Sequence, residues 1–412
     1  MSWDWHEINF PRCAFGELGL KCTACLQGPC RINPFSEKKQ LGVCGRKKES
    51  MIAENFARLV ISGLDDYILD MNDLKLFSQS HELILWLNGG MNLPPKELLD
   101  RMIHLAGLVV SKASKDDFRQ FYSGKISEKS EEKEKNKLIL SEDFVVVILG
   151  KVPQDKIELL LQNKNIKIYS LLNEFPYQNI SSIVNYGNQE FLFERKIPDF
   201  LVIGSGCCMP NIIHLAEKYS IPYQYYYDLT EDHVKKLAVL PPKPRKSLEL
   251  FESVFSKPNL QSIKNQKIAL IAGCNNIRQT HDEEISYLAN YLLKNNYLIL
   301  TSGCAALSIA KYFKEQRDRI FYLGSCFETV KYLDIFNQLN NKQEAIAVFS
   351  EISQPRILAV ALGLAYHQIP TYITTKFIPI PDQSVISSTL KDLNKDLRIN
   401  YHGQDIQDFI KL

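Results

Sequence analysis

The sequence has no apolar run near the roughly 18 to 20 residues that a membrane-spanning helix needs. Its start, MSWDWHEINF, lacks the basic-then-apolar order of a secretory leader. Neither charge is in excess, since 49 Lys and Arg against 47 Asp and Glu leave +2 over 412 residues. No strong field therefore draws the chain to nucleic acid or to a membrane surface, and the basic patches of a nucleic-acid-binding sensor are missing. No short-period repeat is present, and no cysteine falls between Cys44 and Cys207. These absences predict a cytoplasmic protein that takes a small-molecule substrate and has neither nucleic acid nor membrane as partner.

What is present is a chain long enough for about two to three domains. MIAENFARLVISGLDDYILD (51–70) carries apolar residues at helical spacing, so a small cysteine-rich head runs straight into a helix. HELILWLNGG (81–90) reads as a strand ending in a Gly-Gly turn, and Pro94, Pro95 and Lys96 open a helix reaching about Ala106. GKISEKSEEKEKNK (124–137) is too charged to bury surface and reads as a solvated loop. Beyond it, FVVVILG, IKIYSLL and DFLVIGSG alternate with helix-length segments. After the proline cluster LAVLPPKPRKS (237–247), KIALIAG, YLILTSG, RIFYLGS and EAIAVFS do the same. The pattern predicts an α/β fold: a small helical cysteine-rich N-terminal domain (1–80) followed by two Rossmann-like parallel α/β domains (81–241 and 242–412).

Half of the ten cysteines lie in the first 44 residues. In a reducing compartment such density points to metal or redox chemistry rather than a disulfide framework. Cys22, Cys25, Cys30 and Cys44 suit either a tetrahedral zinc or a cubane cluster, and spacing alone does not choose. Cys13 is left unpaired. Cys207, Cys274, Cys304 and Cys326 each follow a glycine-containing turn at the carboxyl end of a predicted strand. In an open parallel sheet those ends line the crevice where ligands bind, so the four thiols are placed to converge on one metal or iron–sulfur site.

CAFGELGLKCTACLQGPCRI (13–32), LGVCG (41–45), CCMP (207–210), AGCNN (272–276), TSGCAA (301–306) and GSC (324–326) together resemble the anaerobic nickel–iron carbon monoxide dehydrogenases and, more distantly, the hybrid-cluster proteins. The resemblance implies a [4Fe-4S] cluster on Cys22, Cys25, Cys30 and Cys44, an active-site cluster on Cys207, Cys274, Cys304 and Cys326, and a homodimer. It also implies an inter-subunit cluster to which Cys13 contributes, but its second ligand position is Lys21. The family's pendant-iron cysteine is absent, the stretch expected to hold its histidine reads LNGGMN (87–92), and Arg356 stands where the family has a catalytic lysine. No histidine ladder is found in ISGLDDYILDMND (61–73).

These departures predict a modified, nickel-free active-site cluster. Fed by a redox partner such as a ferredoxin, it would reduce a small substrate such as hydroxylamine, with Arg356 holding the substrate. Nickel-dependent CO/CO2 interconversion is the alternative enzyme, and an electron carrier, redox sensor or cluster scaffold the non-catalytic one. His281, Glu283, Glu284 and Glu328 form a pool of non-thiolate ligands, each better explained as a solvated helix-start residue than as a ligand.

Overall fold

A computed structural model describes residues 19–33, 35–36, 41–89, 93–115, 138–139, 144–171, 180–244, 248–249, 259–277, 279–374 and 397–399, together with Cys13, Phe15 and Ile386. The charged stretch 124–137 lies outside the described residues. The head is an antiparallel hairpin of β1 (Lys21–Cys22) and β2 (Cys30–Arg31), with Cys22 opposite Cys30. Three helices follow: α1 (Lys48–Met71), α2 (Leu74–Gly89) and α3 (Pro95–Ala113). α1 buries Ile52, Phe56, Val60, Ile61, Leu64, Tyr67 and Ile68, a three-to-four-residue spacing that puts them on one stripe. It stops at Asn72, whose left-handed backbone turns its N–H back onto the Ile68 and Leu69 carbonyls.

The strand predicted over 81–90 is not formed, because its described residues, 81–89, belong to α2. Leu76, Ser80, Leu83 and Leu87 are its buried positions, a helical period that the apolar cluster ILWL conceals in a short window. The boundary expected between residues 80 and 81 therefore falls inside α2.

Two parallel sheets follow. The first is preceded by β3 (Leu138–Ile139) and contains β4 (Phe144–Leu149), β5 (Ile166–Leu171), β6 (Ser181–Val184), β7 (Phe200–Ile203) and β8 (Tyr223–Tyr225) in the order β6-β5-β4-β7-β8. Every pairing in it is parallel. Helices α4 (Gln154–Leu161), α5 (Asn211–Lys218) and α6 (Glu231–Leu237) belong to this unit. β9 (Leu248–Glu249) then pairs back onto β3.

The second sheet has β10 (Ile268–Gly273), β11 (Leu298–Ser302), β12 (Ile320–Gly324), β13 (Ala345–Ser350), β14 (Thr371–Ile373) and β15 (Leu397–Ile399) in the order β12-β11-β10-β13-β14-β15, again all parallel. Its helices are α7 (Glu283–Lys294), α8 (Gly303–Tyr312), α9 (Tyr332–Gln338) and α10 (Pro355–Tyr366). β4, β10 and β13 are buried along their whole length, as continuous apolar runs in a covered parallel sheet must be.

Strand order reverses direction between β4 and β7 in the first sheet and between β10 and β13 in the second. These are the switch points at which such sheets open a crevice. α1 joins the two halves of the molecule, sharing one apolar core with α3, α10 and the inner strands of the second sheet. Gly63 of α1 meets the start of α10 so closely that an added Cβ would lie 2.4 Å from the Pro355 carbonyl. That approach fixes Arg356, the next residue, beside α1.

Candidate functional site

All ten cysteines are free thiols. In the head, Cys22 is buried against Ile32 and Met51, Cys30 is half-buried, and Cys25 and Cys44 are exposed. The hairpin register brings Cys22 and Cys30 together, and Cys25 lies in the turn between them, where its carbonyl accepts from the Gly28 N–H at 3.1 Å. The loop carrying Cys44 closes through Gly42 N–H to the Arg46 carbonyl at 2.8 Å. Arg46 Nη1 lies 4.0 Å from Cys22 Sγ, and its Nε pairs with buried Glu54 of α1 at 2.9 Å. Asn55 of α1 donates to the Gly19 and Lys21 carbonyls at 2.8 and 2.9 Å, anchoring the hairpin. Cys13 is exposed, and no described contact joins it to the other head cysteines.

Cys207, Cys274, Cys304 and Cys326 are all buried. Tyr186, just after β6, packs against the cores of both halves. Its backbone N–H donates to Cys304 Sγ at 3.2 Å, so the first unit touches a thiol of the second. Burial, then the nearby thiols of Cys207, Cys274, Cys208 and Cys304, push its phenol up to about 12. The charges of three of the predicted thiols thus reach one phenol. Cys326 is adjacent, because a Cβ built on Gly303, next to Cys304, would stand 2.9 Å from Cys326 Cβ. Tyr322 is likewise raised by burial, by Glu328 and by both Cys326 and Cys304.

Burial outweighs the groups that would favour a thiolate at Cys274, whose thiol lies above its ordinary value. Burial raises the Cys274 thiol, whereas backbone N–H groups of Ser353 and Gln354 and the Arg356 charge lower it. Arg356 is 3% exposed at the start of α10. Its guanidinium carbon lies 3.8 Å from the centre of the Phe327 ring, its Nη2 is 4.0 Å from Cys207 Sγ, and its Nε is 3.6 Å from Asp66 Oδ2. A helix-start ion pair is therefore present, but it is directed inward, toward a thiol.

Among the described residues, no three His, Cys, Asp or Glu side chains are gathered tightly enough to hold a single metal ion. A mononuclear zinc site would need its ligands about 2.3 Å from one centre. Buried free thiols spread around a common region, several of them receiving N–H bonds or facing a cation, are donors suited to a multi-iron core.

Three of the four non-thiolate candidates have other partners, and the fourth, Glu283, is exposed. Glu328 accepts from the Ser325 N–H and from Lys331, both at 2.9 Å, capping the turn at 326–331. His281 lies 3.1 Å from Asn275 Nδ2 and 3.2 Å from Lys311 Nζ. Glu284 pairs with Gln279. Of LNGGMN, residues 87–89 close α2 and 90–92 lie outside the described residues.

Two residues of the site were missed from sequence. Tyr186 carries no local signal, because its role arises across the interface between units. Lys151 does carry one: it follows Gly150 at the end of β4, the same glycine-then-functional-residue arrangement that marks the cysteines.

Fold and site define a two-sheet α/β protein with four buried cysteines that each follow a strand of its parallel sheets. The particular family follows from comparison. The chain belongs to the Prismane/CO dehydrogenase family, whose model matches residues 20–186 and 168–354. Over 61 residues, 15% of this chain and 10% of the relative, it is 48% identical to carbon monoxide dehydrogenase 2 of Carboxydothermus hydrogenoformans. Over 307 residues, 54% of this chain and 45% of the relative, it is 22% identical to the beta subunit of carbon monoxide dehydrogenase/acetyl-CoA synthase of Moorella thermoacetica. The chain thus covers from a tenth to under half of these curated relatives' length. The fold is similar to carbon monoxide dehydrogenase IV from Carboxydothermus hydrogenoformans, with a TM-score of 0.70 and 16% identity over 97% of this chain and 93% of that one.

Proposed function

We propose that the protein is an iron–sulfur oxidoreductase that passes electrons from its head to a small N–O substrate such as hydroxylamine at the strand-end site. Cys22, Cys25, Cys30 and Cys44 would hold a [4Fe-4S] cluster, and Cys207, Cys274, Cys304 and Cys326 a second cluster of modified composition. Such a core supplies one-electron redox capacity and an iron position open to a small ligand. Around it the chain's own groups act by position. Tyr186 N–H and the N–H groups of Ser353 and Gln354 favour charged sulfur over the neutral thiol. Arg356, stacked on Phe327, orients a polar substrate with a planar fork that stays charged at any working pH. In this reading a ferredoxin-like donor serves the head, the chain is a cytoplasmic homodimer, and Cys13 takes part in any inter-subunit cluster.

The observation that carries the reading is Arg356 itself, a buried permanent cation 4.0 Å from Cys207 Sγ. Anaerobic protein is tested for iron, sulfide and nickel, and for hydroxylamine-dependent oxidation of reduced methyl viologen. Iron without nickel together with turnover supports the proposal; iron with no turnover above buffer refutes it. A second reading, nickel-dependent CO oxidation, is favoured by the 48% identical stretch. It predicts about one nickel per subunit and CO-dependent dye reduction.

A further inference from the structure

Lys151 lies at the switch point of the first sheet. Gly150 before it has φ +89°, and an added Cβ there would come 2.8 Å from the Ser205 carbonyl. This close approach lets the ends of β4 and β7 clasp: Lys151 N–H donates to Ser205 O at 2.6 Å, and Ser205 N–H returns a bond to Lys151 O at 3.0 Å. Cys207 is two residues further on. The Lys151 ammonium pairs with Asp70 of α1 and lies 5.7 Å from the centre of the Phe327 ring, the residue after Cys326. Lys151 is thus framed by the loops that carry Cys207 and Cys326 and by the ring that supports Arg356.

The groups facing the Lys151–Asp70 pair are Asp66 and Tyr67 from α1 and Arg356 from α10. Among these, Arg356 cannot give up a proton, and burial holds the Tyr67 phenol well above its ordinary range. Lys151 is the cation there that can.

We propose that Lys151 is the proton donor of this site, held in place by its ion pair with Asp70. The assignment rests on the oxidoreductase reading above. Two electrons from a reduced one-electron carrier and two protons convert hydroxylamine to ammonia and water. As the N–O bond breaks, the Lys151 ammonium protonates the departing oxygen, which leaves as water. The second proton and the one that restores the ammonium come from solvent, while Asp70 holds the side chain in position.

The test compares the holoenzyme with Lys151→Arg, Lys151→Met and Asp70→Asn. Arginine keeps the ion pair but cannot donate, so both Lys151 variants should lose about 100-fold in kcat with KM changed less than about twofold. A merely structural pair predicts near-normal turnover in Lys151→Arg, and retention of more than half the wild-type kcat there overturns the proposal. Competitive acetylation read by mass spectrometry supplies a measure independent of turnover. The rate of Lys151 labelling at fixed pH should rise severalfold in Asp70→Asn, which releases the side chain from its ion pair, whereas an unchanged rate overturns the proposal. If wild-type protein reduces no hydroxylamine, the failure belongs to the substrate reading, and the labelling result still decides the pairing on which the donor depends.

Discussion

The two cysteine sites are built in opposite ways. Head thiols sit on a two-residue hairpin and a short loop, with Cys25 and Cys44 exposed and a core of Cys22, Ile32 and Met51 beneath them. The strand-end thiols are buried between two sheets whose central strands are solvent-free from end to end. A cluster on the proposed head cysteines would therefore organise the head, as metals do in small domains with little core. The strand-end scaffold is set by its own packing and would only receive the proposed second cluster.

The largest effect that would sharpen this contrast is at Cys304. Cys304→Ala should abolish turnover and remove about half of the bound iron, while the metal-free variant melts like metal-free wild type; loss of head iron as well would erase the distinction. Next comes Arg356→Met, predicted to lower kcat about 100-fold with both clusters retained in the electron paramagnetic resonance spectrum. Third, Glu54→Ala leaves Arg46 without its buried partner and should cost about 3 kcal/mol in the head. Chelator-driven iron release from the head should then accelerate, with hydrogen exchange rising over 19–47 and unchanged in β10 and β13.

The smallest effect concerns Glu351, at the end of β13. Burial carries its carboxyl up to about 8, against the N–H bonds it accepts from Ile285 and Glu284. The folded chain therefore holds a proton that the unfolded chain releases. This contribution to stability is complete below the ordinary carboxylate range and is lost as pH rises toward 8. Glu351→Gln keeps an acceptor for both N–H groups without the titration. Its melting-temperature advantage over wild type should grow by about 2 to 4 °C between pH 4.5 and 8.5, and a constant difference would contradict the assignment.

Much of this architecture was legible in sequence because parallel strands, buried on both faces, read as short apolar runs, and glycines mark their carboxyl ends. The strand-end cysteines were found by that mark. Lys151 carries it too, but a lysine after a glycine is unremarkable until the switch point is known. The run at 83–87 misled because a few consecutive apolar residues fit a strand as well as a helix, and only the spacing of Leu76, Ser80, Leu83 and Leu87 distinguishes them. Tyr186 and Glu351 could not be read locally, since one acts across two units and the other owes its environment to β13 lying beside β10 and α7.

An anaerobic crystal structure with data at the iron, nickel and zinc edges tests the central claim most directly. The account predicts iron anomalous density bonded to Cys207, Cys274, Cys304 and Cys326 together, with a separate iron peak in the head. Those four sulfurs found metal-free, or sharing only a lone zinc, would contradict it.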